Sequence, residues 1–355
     1  MTIDARPALR QLMTSSIQAA RMRGISVAIA DTLGSADLLH AGTDADGAPL
    51  ADDSLFPVAS VSKLATALAV LRIVDSGAVS LDDPIARHVP EAVGGGHWGV
   101  TIRRLLSHTS GLPLDLTSAA APYAPGLSWP ALAEACVETP LAAAPNTRVQ
   151  YSNVGYGLLA IAVERETGQS FPTALEHLVF RPLGIEGYLG VEPPRAPVRL
   201  SGIRGPHANT DLEPFNSPFW RSLGLPWAGL ITTATGALTL VRAFAGHHHG
   251  FLRPSLLAEA TSNQNGDLEG GFVRPLVWKR CPWGLGPEIR DDKAPHWAPP
   301  TAGAGSFGHS GASGCISWFD PAASIAWAIL GTRVADSGWL VRRGPELGTA
   351  ILNPS

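Results

Sequence analysis

Hydrophobic and polar residues change their pattern along this chain, from strand-like at both ends to helix-like in the middle. Residues 4–22 have the spacing of an amphipathic helix. The run Gly24–Ala30 and the segment Asp37–Ala41, joined by a turn at residues 33–35, predict a β-hairpin. Near the other end, Cys315–Phe319 and Ser324–Leu330 predict a second hairpin.

The middle of the chain favours helices separated by Pro/Gly loops. A helix is predicted from Ser60 to about Ser76, and its apolar positions occupy nearly every side, which indicates a buried helix. Further helices are predicted at 101–106, 129–137, 152–168, 171–179 and 231–244, the last with Thr232 and Thr233 as caps.

Strand patterns return after this helical region. Trp283–Ile289 is predicted as a strand, and another strand region begins at Gly308–Ser310. The C-terminus from about Gly338 is predicted to be partly helical and broken at Gly344-Pro345, because proline interrupts a helix interior.

These elements together predict an α+β fold. Strands from both chain ends would share one antiparallel sheet flanked by helices, with a mainly helical domain inserted between them. The predicted boundaries are 1–60 and 227–355 for the discontinuous sheet domain and 61–226 for the helical domain. The active site would lie at the interface of the two.

The composition is that of a globular protein and argues against binding of nucleic acid. Of the 355 residues, 45% are hydrophobic and 16% are charged. The net charge is −4 and the basic residues are not clustered, so a nucleic-acid partner is not expected. Cys136, Cys281 and Cys315 have neither metal nor disulfide-framework spacing. No apolar run is long enough for a bilayer, and charged residues interrupt the N-terminus, so we expect a cytoplasmic protein unless a leader has been removed.

Ser60 and Lys63 are the first candidates for chemistry. Residues three apart are neighbours on a helix, so the Ser60 hydroxyl would lie beside the Lys63 amine. A serine needs a base to become a nucleophile, and burial or the positive end of a helix lowers the pKa of a lysine. The alternative is that Ser60 merely caps the helix.

Two other polar triplets lie in separate regions, Tyr151-Ser152-Asn153 and His309-Ser310-Gly311. With Ser60-Val61-Ser62-Lys63, they stand in the order S-x-x-K, Y-x-N and K/H-[ST]-G. In this the chain resembles the serine β-lactamase and penicillin-binding-protein superfamily. The resemblance is closest to its class C β-lactamase, DD-peptidase and β-lactamase-like esterase branch, and it extends over about residues 20–333.

The resemblance implies roles for these residues. Ser60 would form an acyl-enzyme, and Lys63 with Tyr151 would act as base and later as acid. Asn153 would hold Lys63 or a substrate carbonyl, and His309 would donate a hydrogen bond to Tyr151 or the substrate. The implied oxyanion hole is the backbone N–H groups of Ser60 and Ala312. Ser310 and Gly311, the other residues of the third triplet, would also bind substrate. Apart from the resemblance, Trp220 and Trp227 are candidates for a substrate wall, and Trp227 could equally be a core residue.

Competing interpretations are weaker. The segment Gly308–Ala312 nearly fits the G-x-S-x-G nucleophile elbow of α/β-hydrolases, but Gly311-Ala312-Ser313-Gly314 is a poor helix start and no histidine follows His309. The adjacent residues His247, His248 and His249 cannot all face one metal ion.

We therefore expect a serine hydrolase without metal or cofactor. The favoured substrate is a small-molecule ester or amide, and the acyl group could also pass to an acceptor other than water. The alternatives are a DD-peptidase or weak β-lactamase, or a binding or sensing protein that keeps the fold without turnover. The sequence leaves the oligomeric state open.

Overall fold

The computed structural model describes residues 6–31, 34, 36–335 and 338–353. Its α-helices are α1 Pro7–Ala20, α2 Ser62–Asp75, α3 Ile85–His88, α4 Ile102–Leu106, α5 Trp129–Glu138, α6 Asn153–Thr167, α7 Phe171–Leu175, α8 Arg181–Leu183, α9 Pro218–Ser222, α10 Ala234–Phe244, α11 Pro254–Ala260 and α12 Trp339–Leu352. Short 3₁₀ turns cover Ala59–Val61 and Pro90–Val93, and a π turn covers Glu176–Phe180.

The strands form one large sheet and two small ones. They are β1 Gly24–Asp31, β2 Asp37–Gly42, β3 Phe56–Pro57, β4 Val149–Gln150, β5 Gly187–Tyr188, β6 Ile231–Thr232, β7 Gly270–Gly271, β8 Val277–Trp278, β9 Glu288–Ile289, β10 Phe307–Gly311, β11 Cys315–Asp320 and β12 Ile325–Gly331. The large sheet has the order β2-β1-β12-β11-β10-β9, and its neighbouring strands are antiparallel.

Strand β1 shows why both chain ends share this sheet. It pairs with β12 in a register that sets Val27 opposite Ile329. Alternate side chains of a strand point to opposite faces, and in β1 Val27 and Ile29 join one buried cluster while Ala28 and Ala30 join the other. Both faces of the sheet are therefore covered, and the predicted α+β fold with an antiparallel sheet from both ends is confirmed.

The prediction of a buried helix after Ser60 is also confirmed. All residues of α2 except Arg72 and Asp75 are buried. The helix contacts α6 and α7 of the mainly helical region on one side and α10 and β10 on the other. Lys63, in the first turn of this helix, is therefore fully buried, and Ser60, two residues before the helix, is half-buried.

The predicted start of one helix and the predicted length of one strand are wrong. Ile231 and Thr232 form β6 instead of starting a helix, because they pair with β3 and β5, and only Thr233 caps α10. The expected strand Trp283–Ile289 shrinks to Glu288–Ile289, since only these two residues reach β10 for ladder pairing.

The predicted break at Gly344-Pro345 is wrong as well, because α12 continues through Pro345. Pro345 lacks an N–H and so removes one hydrogen bond from the helix, but tertiary packing outweighs this loss. Leu347 and Ile351, on the face of α12 that packs against the sheet, are fully buried. Gly344 lies against the backbone of Trp297, where an added Cβ would come within 2.6 Å of the carbonyl oxygen.

Some predictions stay open. Residues 4 and 5 of the first helix, and residues 33 and 35 of the first turn, lie outside the described residues, and the two-domain division stays a prediction. Within the described chain, no helix is long and apolar enough to cross a membrane. The same residues contain no group of three or more His, Cys, Asp or Glu side chains that could hold a metal ion.

Candidate active site

Ser60 lies in a tight turn that leads into α2. The preceding residue, Ala59, has a φ of 45°, a left-handed conformation that is strained for a residue with a Cβ. The Ser62 hydroxyl stabilises the turn by donating to the Ala59 carbonyl at 2.6 Å and accepting from the Leu230 N–H at 3.0 Å. Val61, not Ser60, is the N-cap of α2, and it makes no side-chain cap bond. Ser60 is therefore not a helix cap.

Lys63 is fully buried directly beside Ser60. Its Nζ lies 3.3 Å from the Ser60 Oγ, 2.7 Å from Asn153 Oδ1 and 3.0 Å from the carbonyl oxygen of Trp227. It also lies 4.6 Å from the centroid of the Tyr151 ring. Three residues that the sequence placed in one site are thus brought together around this amine.

Burial lowers the pKa of Lys63 well below 10.5, and the charge of Asp115 counteracts this only in part. Loss of solvation favours the neutral amine, which has two N–H groups and one lone pair. Asn153 Oδ1 and the Trp227 carbonyl oxygen can only accept, so the two N–H groups of the neutral Lys63 amine donate to them. The lone pair is then left for the Ser60 hydroxyl, which is the arrangement of a general base.

Tyr151 is positioned by a short parallel pairing between β4 and β7. Its N–H donates to the Gly271 carbonyl at 3.0 Å. Gly270, with a φ of 143°, permits this approach, because an added Cβ would lie 1.8 Å from the Val149 oxygen. Burial raises the pKa of Tyr151 well above 10, although the nearby Ser60 hydroxyl counteracts this effect. The side chain is accordingly held as a phenol.

The hydrogen bond between Tyr151 and His309 runs opposite to the sequence-based expectation. His309 Nδ1 lies 2.6 Å from the Ser310 carbonyl, which can only accept, so Nδ1 carries the proton. In the neutral ring Nε2 is then an acceptor, and it lies 3.4 Å from the Tyr151 hydroxyl. Tyr151 therefore donates this bond, and His309 does not donate to it.

The neutrality of His309 follows from its surroundings. Burial, reinforced by the nearby Lys63, lowers the pKa of His309 to about 3. Its ring is 1% exposed, and so water cannot stabilise an imidazolium there. At neutral pH the His309 ring therefore packs in the site as an uncharged group and accepts a hydrogen bond, and it provides no positive charge.

The end of β10 packs against the turn that carries Ser60. An added Cβ on Gly311 would lie 2.4 Å from the Val58 carbonyl oxygen, so only glycine allows this contact. Ala312 lines the same cavity as Ser60. Neither the Ser60 N–H nor the Ala312 N–H donates to another described residue in a turn, loop or cap, as two oxyanion donors require. Ser310 is held by its carbonyl bond to His309 and does not line the cavity.

The cavity in front of Ser60 has a volume of about 320 Å³ and is mostly apolar. Trp220 and Trp227, which the sequence predicted as substrate-wall residues, both line it. Its further lining side chains include Leu116, Tyr123, Leu127, Leu132, Phe215, Leu223 and Leu225.

Sequence reasoning missed two contacts of the catalytic cluster. Asp115 Oδ1 accepts from Asn153 Nδ2 at 3.0 Å, and the backbone carbonyl of Trp227 accepts from Lys63. Asp115 belongs to an irregular loop without periodicity, so no pattern distinguished it from other acidic residues. A backbone carbonyl leaves no signal in a sequence at all.

Comparisons with known proteins agree with this geometry. The family model "Beta-lactamase" matches residues 8–342. Penicillin-binding protein 4 of Amycolatopsis lactamdurans is 31% identical over 78% of this chain and 70% of its own length. Esterase EstB of Burkholderia gladioli is 32% identical over 74% of this chain and 75% of its own length. A beta-lactamase crystal structure from Mycobacterium bovis has 26% identity and a TM-score of 0.68, covering 95% of this chain and 97% of that one.

Proposed function

The chain belongs to the beta-lactamase family and is a serine hydrolase of that family, and we propose that it cleaves small-molecule esters or amides through an acyl-enzyme on Ser60. The observation that carries this proposal is the buried Lys63 amine 3.3 Å from the hydroxyl of Ser60, a residue that lines a mostly apolar cavity.

The first half of the reaction forms the acyl-enzyme. The Ser60 Oγ attacks the carbonyl carbon while its proton passes to the lone pair of Lys63 Nζ. The negative oxygen of the tetrahedral intermediate is stabilised by the N–H groups of Ser60 and Ala312, an effect worth about 3–4 kcal/mol per donor in comparable sites. The intermediate collapses, and the leaving alcohol or amine takes the proton back from Lys63.

In the second half, water or another acceptor attacks the acyl-enzyme. Its proton passes to the lone pair of Lys63 Nζ, and the Ser60 oxygen recovers that proton from Lys63 as the acid is released. Asn153 holds Lys63 in place through both steps. Tyr151, itself held by His309, stays within reach of the leaving group.

The charge of the site supports an ester or amide substrate over a β-lactam or a D-Ala-D-Ala peptide. The latter two carry a carboxylate, which needs a cationic partner in a protein site. No basic side chain is among the described residues that line the cavity, and His309 is neutral. A DD-peptidase or weak β-lactamase activity remains the second candidate, supported by the similarity to a penicillin-binding protein.

The test is hydrolysis of p-nitrophenyl butyrate by the wild type and by Ser60→Ala. Loss of the nucleophile should lower kcat/KM at least about 1000-fold, while Ser222→Ala, at an exposed serine of α9, should retain wild-type activity. Mass spectrometry after fluorophosphonate treatment should find the adduct on the peptide that contains Ser60. An equally active Ser60→Ala, or no turnover and no adduct in the wild type, would refute the proposal and favour a binding protein.

A further inference from the structure

The cavity in front of Ser60 has one charged side chain on its walls. Among the described residues that line it, only Asp115 is ionisable near neutral pH. The other walls are formed by aliphatic and aromatic side chains, with Tyr123, Phe215 and Trp220 among them. Asp115 is exposed and lines this cavity, so a molecule bound in front of Ser60 would meet its negative charge.

Asp115 is only partly satisfied by the protein. Its Oδ1 accepts from Asn153 Nδ2 at 3.0 Å. Within the described part of the chain, Asn153 is the one hydrogen-bond partner of this carboxylate, and Asp115 forms no ion pair with an arginine, lysine or histidine. The side chain is exposed toward the cavity, where a ligand can reach the free oxygen.

The position of Asp115 relative to the nucleophile is set by a chain of hydrogen bonds. Ser60 contacts Lys63, Lys63 donates to Asn153 Oδ1, and the other end of the same amide donates to Asp115. The carboxylate therefore lies one amide group beyond Lys63. A positive group attached close to the reacting carbonyl would come to rest beside it.

We propose that Asp115 binds a protonated amine of the substrate, so that the preferred substrates are esters or amides of amino acids with a free amino group and an apolar side chain. The ammonium would donate to Asp115 Oδ2, and the apolar side chain would pack on the aromatic walls. This inference rests on the proposed hydrolysis at Ser60 and specifies its substrate class.

A second role for Asp115 has to be distinguished from this one. The carboxylate could act only on the protein, by orienting the Asn153 amide that holds Lys63. In that case, replacing Asp115 would lower kcat/KM by the same factor for every substrate. Recognition of an ammonium instead predicts that the loss depends on the charge of the substrate.

The test compares two substrates that differ in the amino group alone, leucine methyl ester and methyl 4-methylpentanoate. Both enantiomers of the leucine ester are used, and kcat/KM is measured at pH 6.5, where the amine is protonated. The variant is Asp115→Asn, which removes the charge but keeps an oxygen that can accept from Asn153. Asp115→Glu restores the charge and serves as the conservative variant.

The wild type should prefer at least one enantiomer of the charged ester over the neutral ester. In Asp115→Asn this preference should fall at least about 5-fold, as expected for an ion pair partly open to solvent, and Asp115→Glu should recover part of it. An unchanged preference in Asp115→Asn, or no preference in the wild type, would overturn the inference. Turnover of p-nitrophenyl butyrate, measured in parallel, would still uphold the proposed hydrolysis in either case.

Discussion

Lys63 shows at the scale of one residue how a fold turns a cation into a base. An exposed lysine is charged at neutral pH, but a fully buried one loses the hydration that stabilises its charge. The two acceptors around Lys63, Asn153 Oδ1 and the Trp227 carbonyl, then orient the amine toward Ser60. The chemical character of the side chain is thus decided by its neighbours.

This environment predicts the pH dependence of the reaction. The active form of Lys63 is the deprotonated amine, and burial lowers its pKa well below 10.5. With p-nitrophenyl butyrate, kcat/KM should therefore rise with pH through an apparent pKa clearly below 10.5. The charge of Asp115 raises the pKa of Lys63. In Asp115→Asn the rising limb of the pH profile should therefore shift to lower pH.

A pH-rate profile of the wild type and of Asp115→Asn measures both effects. Glu134→Gln, which removes an exposed charge from α5 outside the cavity lining, should leave the limb in place. A limb near 10.5, or a shift of the Asp115→Asn limb to higher pH, would contradict the assignment of Lys63 as the base.

His309 provides a second prediction at this scale. His309→Lys would place a cation in a buried position near Lys63 and remove the acceptor of the Tyr151 hydroxyl. His309→Gln keeps a neutral acceptor. Ester hydrolysis should fall at least about 10-fold further in His309→Lys than in His309→Gln, since an unpaired buried charge costs several kcal/mol. Equal kcat/KM values for the two variants would argue against a neutral, accepting His309.

At the scale of elements, the site depends on the contact between the Ser60 turn and the end of β10. Both proposed oxyanion donors belong to this contact, one on each side. The backbones approach so closely that Gly311 has no room for a Cβ. The relative position of a turn and a strand, not a side chain, therefore sets the distance between the two donors.

Gly311→Ala should separate the two elements, because the new methyl group would lie 2.4 Å from the Val58 carbonyl oxygen. Loss of aligned oxyanion donors costs about 100- to 1000-fold in kcat in comparable sites, and we expect a decrease in that range.

The measurement is kcat on p-nitrophenyl butyrate, together with a circular dichroism melt to verify folding. Gly305→Ala is the matched control, since a Cβ at Gly305 would meet no atom within 4 Å. A fully active Gly311→Ala enzyme would show that this contact does not align the donors.

At the scale of the whole molecule, a buried ion pair connects a long loop to the sheet behind the site. Glu288 on β9 and Lys293 in the loop that follows are both fully buried, and their charged groups lie 2.8 Å apart. Lys293 Nζ also donates to the Pro282 carbonyl at 2.9 Å and lies 5.3 Å from the centroid of Trp283. The loop thereby supports an indole whose ring packs 5.8 Å from Tyr151.

Breaking this pair from one side should destabilise the protein. Lys293→Met leaves Glu288 as an uncompensated buried charge, and the free energy of unfolding should fall by about 3–5 kcal/mol. The double variant Glu288→Gln/Lys293→Met should recover much of this loss. Urea denaturation at pH 7 measures both, and a double variant less stable than Lys293→Met would contradict this explanation.

The same pair predicts an acid sensitivity. Burial by itself would raise the pKa of Glu288, but Lys293 and His296 outweigh it and lower the pKa from 4.5 to about 2. A carboxyl group with a lowered folded-state pKa stabilises the fold above its unfolded pKa and loses this contribution as pH falls through the folded value. Stability should therefore decline between about pH 4.5 and 2, and less steeply in the double variant.

Much of the fold and the central site could be predicted from the sequence. The paired hairpins at both ends and the apolar α2 follow from local periodicity, which burial imposes directly on residue types. Ser60, Lys63, Tyr151 and His309 are recognisable because their chemistry restricts which side chains can stand there. Their catalytic roles stay predictions until the variants are measured.

Only the tertiary structure decided what local patterns do not encode. Pro345 remains inside a helix, and Ile231-Thr232 forms a strand, because distant partners outweigh local propensity. The carbonyl that holds Lys63 and the partner of the Asp115 carboxylate likewise lie far away in the chain, and the proton position on His309 depends on how its ring is folded back onto the Ser310 carbonyl. Protonation and hydrogen bonding respond to distance and solvation in space, and a sequence alone does not specify these.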